Sequence, residues 1–178
     1  MKSNKTVKII IFTALFLSVV ILISVMTGAT KETTADTDSV KLPVIMYHSL
    51  LKDEKLQNDY TVSPTLFEND LKYLTENGYT TVVVKDLTDY VYGKKSLPEK
   101  CIMLTFDDGY DDNSTNLLPL LQKYGMKATI FLIAGDVGKR HKLTREQISE
   151  LVQSGLVSIQ SHGWSHRNMA NLPPLELL

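Results

Sequence analysis

From Leu42 onward, short continuous apolar runs alternate with segments whose apolar residues recur every three or four positions. The first period is that of a buried strand and the second that of an amphipathic helix. Val44–Tyr47 reads as a strand. Ser63-Pro64 then starts a helix, with Ser as the cap and Pro at the first helical position. Phe67, Leu71 and Leu74 form its apolar stripe, and Gly78 ends it. Thr80–Val84 is β-branched and predicts a second strand, with Asp86 capping a short helix through Tyr92. A loop containing Pro98 leads to a third strand, Cys101–Phe106. Leu117, Leu118 and Leu121 predict a helix over Thr115–Tyr124, and Ala128–Ala134 a fourth strand. Thr144-x-x-Gln147 is a capping box, with Ile148, Leu151 and Val152 behind it and Gly155 closing the helix. Val157–Ser161 is the fifth strand. Strands alternating with helices argue an α/β fold with a parallel sheet and right-handed crossovers. The pattern alone does not separate a closed barrel from an open sheet.

The amino end follows another pattern. Lys2, Lys5 and Lys8 precede Ile9–Met26, an uncharged and mostly apolar run of 18 residues. Such a run is long enough to span a bilayer as a helix, and the lysines would keep its start in the cytoplasm. Residues 1–29 are therefore expected to be a membrane anchor or a signal peptide, with the rest of the chain outside. Residues 30–40 are polar and read as a flexible tether. Residues 41–178 form the expected folded domain. Across all 178 residues, 19 basic side chains face 20 acidic ones, so no charge excess pulls the chain toward nucleic acid. The single cysteine, Cys101, cannot form an internal disulfide and reads as a small buried hydrophobe.

Chemistry concentrates in two stretches. Thr105-Phe106-Asp107-Asp108-Gly109-Tyr110 follows the third strand, and Ser161-His162-Gly163-Trp164-Ser165-His166 follows the fifth. Taken alone, Asp-Asp-Gly after a strand is a turn, and two histidines four apart are surface or core residues. Together, at the carboxyl ends of strands in one parallel sheet, they meet on one face. Asp, His and His are the ligand types of an open catalytic metal site, with a further Asp left over to act as a base. That combination points to metal-assisted hydrolysis. A two-carboxylate glycosidase fits poorly, because adjacent residues on one loop seldom face each other across ~5–10 Å.

These motifs resemble the polysaccharide deacetylases, the NodB-homology group of carbohydrate esterase family 4. The likeness runs from about Lys41 to the last residue. Leu42-Pro43-Val44-Ile45-Met46-Tyr47-His48 resembles the start of the branch that deacetylates poly-N-acetylglucosamine in biofilm matrices, in which the barrel is circularly permuted. The resemblance implies a distorted (β/α) barrel of about seven units. It implies Asp108, His162 and His166 as ligands of a divalent ion; the donor set suits zinc, with nickel, cobalt and iron as alternatives. It further implies Asp107 as the base, the backbone N–H of Tyr110 as an oxyanion donor, and His48 as the acid that protonates the departing amine. Trp164 is placed either along the sugar groove or in the core. The expected partner is an N-acetylglucosamine polysaccharide.

Two departures stand out. Gly163 occupies a position where the family usually has Ser or Thr. The chain also stops at Leu178 after five expected strands, so the barrel is expected to be incomplete at its carboxyl end. Residues 41–178 expressed alone are accordingly expected to be poorly soluble and inactive. A non-catalytic carbohydrate-binding remnant is the competing expectation.

Overall fold

The computed structural model describes residues 40–173, apart from residues 54, 56 and 57. The apolar run Ile9–Met26 and nearly all of the expected tether lie outside the described residues. Among those described, no helix is long and apolar enough to cross a membrane.

In chain order the strands are β1 (Val44–Tyr47), β2 (Ser49–Leu50), β3 (Thr61–Val62), β4 (Thr80–Thr81), β5 (Cys101–Asp108), β6 (Ala128–Leu132) and β7 (Val157–Ser161). The α-helices are α1 (Pro64–Glu76), α2 (Val84–Val91), α3 (Leu118–Tyr124) and α4 (Arg145–Gln153). A π-helical turn, Asn113–Leu117, leads into α3.

β5 is the central strand. β1 lies parallel along one edge, from Val44↔Met103 to Tyr47↔Phe106. The Met103 N–H donates to Pro43 O on that edge, whereas Val82 N–H donates to Ile102 O. Successive residues of a strand point their amides to opposite edges, so β4 lies on the edge away from β1. β6 takes the rest of that edge, from Thr105↔Thr129 to Asp108↔Leu132. The Lys127 N–H donates to Thr81 Oγ1 at 2.6 Å where the two short strands meet. β7 completes the order, parallel to β6 from Ala128↔Val157 to Leu132↔Ser161. The expected parallel sheet with five strands is therefore present. β2 and β3 form a separate two-stranded parallel pair.

The core lies between this sheet and its helices. Phe67 and Leu71 of α1 meet Leu104 and Phe106 of β5 and Leu117 and Leu121 beyond it, all fully buried. Each such side chain contributes about 1.5–3 kcal/mol by leaving water. Tyr47 stacks on Phe106 with centroids 5.2 Å apart and meets Phe67 edge-on at 5.1 Å. Its hydroxyl donates to Asp70 Oδ2 at 3.0 Å. A smaller cluster joins Val82, Cys101 and Met103, so Cys101 is the buried hydrophobe expected.

The local signals at two helix starts hold. Ser63 Oγ accepts the Leu66 N–H at 3.1 Å. Thr144 and Gln147 exchange both bonds of a capping box, at 2.9 and 3.3 Å. Elsewhere the sequence pattern misleads. The strand expected over Thr80–Val84 stops at Thr81, because Val83 turns into α2 and Val84 is its first residue. Asp86 is not the cap; it sits in the first turn, where its Oδ2 accepts the Val83 N–H at 3.1 Å. β5 runs two residues further than expected, carrying Asp107 and Asp108 inside the strand, and β6 ends at Leu132 rather than Ala134.

Candidate metal centre

β5 ends in a sharp left-handed turn. Asp108 and Gly109 both have φ 68°, an uncommon conformation for a residue with a side chain. Leu132 presses on this turn from β6. A Cβ at Gly109 would lie 2.3 Å from Leu132 Cδ1, so only glycine fits without movement. Residues 141–143 brace the turn from outside. Leu143 N–H donates to Gly109 O at 3.0 Å and Asp111 N–H to His141 O at 3.3 Å. These bonds flank the Tyr110–Lys142 pair, so the Tyr110 amide itself turns away from residues 141–143. Lys142 Nζ lies 3.7 Å from the Tyr110 ring centroid and donates to Asp108 O at 3.3 Å. Burial pushes the Tyr110 hydroxyl above its ordinary range, and the Asp108 carboxylate beside it pushes the same way.

The histidine loop is latched to the end of β6. His162 N–H donates to Leu132 O at 2.8 Å, Ala134 N–H to Gly163 O at 3.0 Å, and Gly135 N–H to Trp164 O at 2.9 Å. Trp164 is 74% exposed, so it is not a core residue. His166, at φ 53°, bends the loop back.

The two loops bring three donors together. Asp108 Oδ1 lies 3.6 Å from His162 Nε2 and 3.7 Å from His166 Nε2. The imidazole centroids are 4.8 Å apart, and the three donor atoms all lie within 4.8 Å of one another. Asp108 Oδ1 is buried and has no hydrogen-bond partner among the described residues. The separations exceed hydrogen-bonding distance. They fit a shared cation: ligand atoms ~2.1 Å from a tetrahedral zinc sit ~3.4 Å from one another. An ion would also satisfy the orphaned carboxylate oxygen, whose desolvation otherwise costs about 1–3 kcal/mol or more.

Asp107 is in register with Phe131, and Asp108 with Leu132. Asp107 is the last residue of regular strand, and Asp108 already leaves the strand's alternation at φ 68°. His48 follows β1 immediately after the Tyr47↔Phe106 pair, level with Asp107 along the sheet. Its ring centroid is 5.1 Å from that of Tyr60.

Asp112 and Asn113 hold partners that no local sequence pattern signals. Asp112 is buried and accepts the Ser49 hydroxyl and the Leu50 N–H, the latter at 3.1 Å. Asn113, fully buried, donates through Nδ2 to His48 O at 3.1 Å. Asn116 Nδ2 donates to Leu50 O at 2.7 Å. The turn after β5 thus grips the chain at His48 and at the two residues that follow it. Burial pushes Asp112 above the ordinary carboxylate range, while the Ser49 hydroxyl and the Leu50 amide pull it back.

The structure is thus a parallel α/β sheet with an Asp–His–His cluster, able to hold a cation, at the carboxyl ends of β5 and β7 on either side of β6. Residues 94–178 match the polysaccharide deacetylase family model. The chain belongs to that family. A Bacillus subtilis relative that carries the polysaccharide deacetylase name is 43% identical over 134 residues, covering 75% of this chain and 46% of the relative. The poly-beta-1,6-N-acetyl-D-glucosamine N-deacetylase of Escherichia coli is 29% identical over 136 residues, covering 68% of this chain and 20% of that protein. The crystal structure of a Bacillus cereus polysaccharide deacetylase is similar with a TM-score of 0.66 and 34% identity, over 76% of this chain and 43% of that one. This chain therefore spans less than half the length of all three.

Proposed function

We propose that the protein is a metal-dependent hydrolase removing N-acetyl groups from N-acetylglucosamine residues of a cell-surface or extracellular polysaccharide. The observation that carries this reading is the unpartnered Asp108 Oδ1 facing two imidazole nitrogens at 3.6 and 3.7 Å. The family context and the name of the Escherichia coli relative point to β-1,6-linked poly-N-acetylglucosamine.

Asp108, His162 and His166 would hold the ion. Their donor set suits zinc, with nickel, cobalt or iron as alternatives. When bound, such an ion acts as a Lewis acid on the acetyl carbonyl and lowers the pKa of water. Asp107 takes the proton from the attacking water. The Tyr110 N–H, turned away from residues 141–143, donates to the oxyanion that develops. His48 gives a proton to the nitrogen as the C–N bond breaks, since an amine is too basic to leave unprotonated. Trp164, exposed beside the histidines, offers an aromatic face to a sugar ring. The products are acetate and a glucosamine residue.

The same reading takes the five parallel strands as part of a distorted (β/α) barrel, and Ile9–Met26 as an anchor or signal that places the domain outside the membrane. Protease added to intact cells should then remove an epitope placed near Leu178; a protected epitope would reverse the topology. The activity is tested with β-1,6-linked N-acetylglucosamine oligomers and zinc, following acetate and new reducing ends separately. Acetate without reducing ends is expected. Reducing ends without acetate would indicate a glycosidase, and binding without either product a non-catalytic module.

A further inference from the structure

Lys142 is half-buried beside the metal centre. Among the described residues its ammonium has no carboxylate within salt-bridge distance. A charge drawn partly out of water without a counter-charge is a cost to the fold. Its two contacts both go to the turn that carries Asp108, 34 positions earlier.

The backbone fixes where this side chain starts. Lys142 N–H donates to Lys139 O at 3.1 Å, and Gly138 N–H to Leu143 O at 2.9 Å. Leu143, next in the chain, is fully buried and donates its own N–H to Gly109 O. From that anchored base the ammonium rests 3.7 Å from the Tyr110 ring centroid and donates to Asp108 O at 3.3 Å. The Tyr110 hydroxyl in turn lies beside the Asp108 carboxylate. Asp108 is therefore held at both ends, its carbonyl by the ammonium and its carboxylate by the phenol under that ammonium.

Asp108 is the ligand that most needs holding. At φ 68° its backbone occupies an uncommon conformation. Relaxation toward the extended region would re-aim the carboxylate, and a metal site tolerates errors of only about 0.5 Å in its ligands. Charge alone argues the other way, because an ammonium repels a divalent cation. The two effects on cation affinity have opposite signs and can be told apart.

We propose that Lys142 is a positioning residue for the cation site: it clamps the Asp108 carbonyl and the Tyr110 ring and so keeps the Asp108 carboxylate aimed at His162 and His166. The proposal rests on the metal reading of those three residues. Lys142 touches neither substrate nor ion and acts only through Asp108.

The test measures zinc affinity of the full chain by competition with a chromogenic chelator, for the parent, Lys142→Met and Lys142→Arg. Lys142 lies outside both core clusters, so neither change empties packed space. Methionine keeps the stem and removes the charge and its donors. It should raise the zinc Kd about tenfold, the loss of one charge-assisted hydrogen bond. A guanidinium can donate to a carbonyl while stacking on a phenol, so arginine should stay within about threefold of the parent. Excess zinc should restore most of the acetate release of Lys142→Met, which damage to the fold would not allow. Zinc held as tightly or more tightly by Lys142→Met overturns the proposal and leaves the metal reading standing. So does an arginine variant as weak as methionine, or turnover that stays low at saturating zinc. A parent chain that binds no zinc removes the metal reading and the proposal with it. Zinc binding that depends on Lys142, without acetate release by the parent, keeps the positioning role and removes the deacetylase reading.

Discussion

The Asn113 side-chain amide donates to the His48 carbonyl across 65 positions of sequence. Asn113 is fully buried, so this bond forms away from competing water. Six consecutive residues, Asp108–Asn113, thus contain a proposed cation ligand at one end and the grip on the proposed acid at the other.

Asn113→Ala should disturb the acid and spare the cation site. Hydrolysis of the acetamide needs a proton on the leaving nitrogen, whereas 4-nitrophenyl acetate releases a stable phenolate without one. Acetamide turnover should fall roughly tenfold, part of the 10²–10⁴ range for general-acid catalysis. Ester turnover should change little. Parallel loss of both activities would indicate simple structural damage.

His162→Ala and His166→Ala should each abolish retention of one equivalent of zinc, measured by elemental analysis after dialysis. Unchanged stoichiometry in both variants would mean the ion sits elsewhere. Asp107→Asn should keep the metal and lose turnover by roughly 10²–10⁴-fold, because it removes only the base.

Gly109→Ala should be costly for two reasons. Alanine at φ 68° is strained by about 1 kcal/mol, and its Cβ would overlap Leu132 Cδ1, adding about 1–3 kcal/mol. Gly125, at φ 62° with nothing near its missing Cβ, isolates the first term. Urea unfolding should show a loss of about 2–4 kcal/mol for Gly109→Ala and about 1 kcal/mol for Gly125→Ala. Equal losses would mean that Leu132 moves aside freely.

What could be read from the chain was what is local to it. Ser63-Pro64 and Thr144-x-x-Gln147 carry their own partners within three residues, so both helix starts were legible. The apolar runs of β5 and β7 and the polar motifs at their ends also place Asp108, His162 and His166 in one region. The β2–β3 pair was not legible, because two-residue strands have no periodicity to detect. Nor was the role of Asp112 and Asn113, whose partners lie 62–65 positions away. Thr80–Val84 failed for another reason. β-branched composition favours a strand, but here the Asp86 bond to the Val83 amide starts a helix.

Asp112 gives a pH dependence of unusual sign. Its folded-state pKa is raised, so the folded protein holds that proton more tightly than the unfolded chain. The contribution is fully present below the unfolded value of 3.8 and is lost as pH rises through the higher folded value. The stability difference between the parent and Asp112→Asn should therefore shift in the parent's favour as pH falls from 7 toward 4. Chemical denaturation of both proteins across that interval checks it; a difference independent of pH would mean the carboxyl is not perturbed.

Two of the three proposed cation ligands, Asp108 and His166, hold left-handed backbone at φ 68° and 53°. Asp and His tolerate that conformation better than most residues with a side chain, yet each still costs of order 1–3 kcal/mol. Selection for thermal robustness alone would replace both with glycine, whose backbone is at ease there. The site consequently sets activity against durability at the same two positions. Stabilised variants drawn from random libraries should be enriched for changes that silence the protein, and screens run without an activity filter would drift toward inert folds.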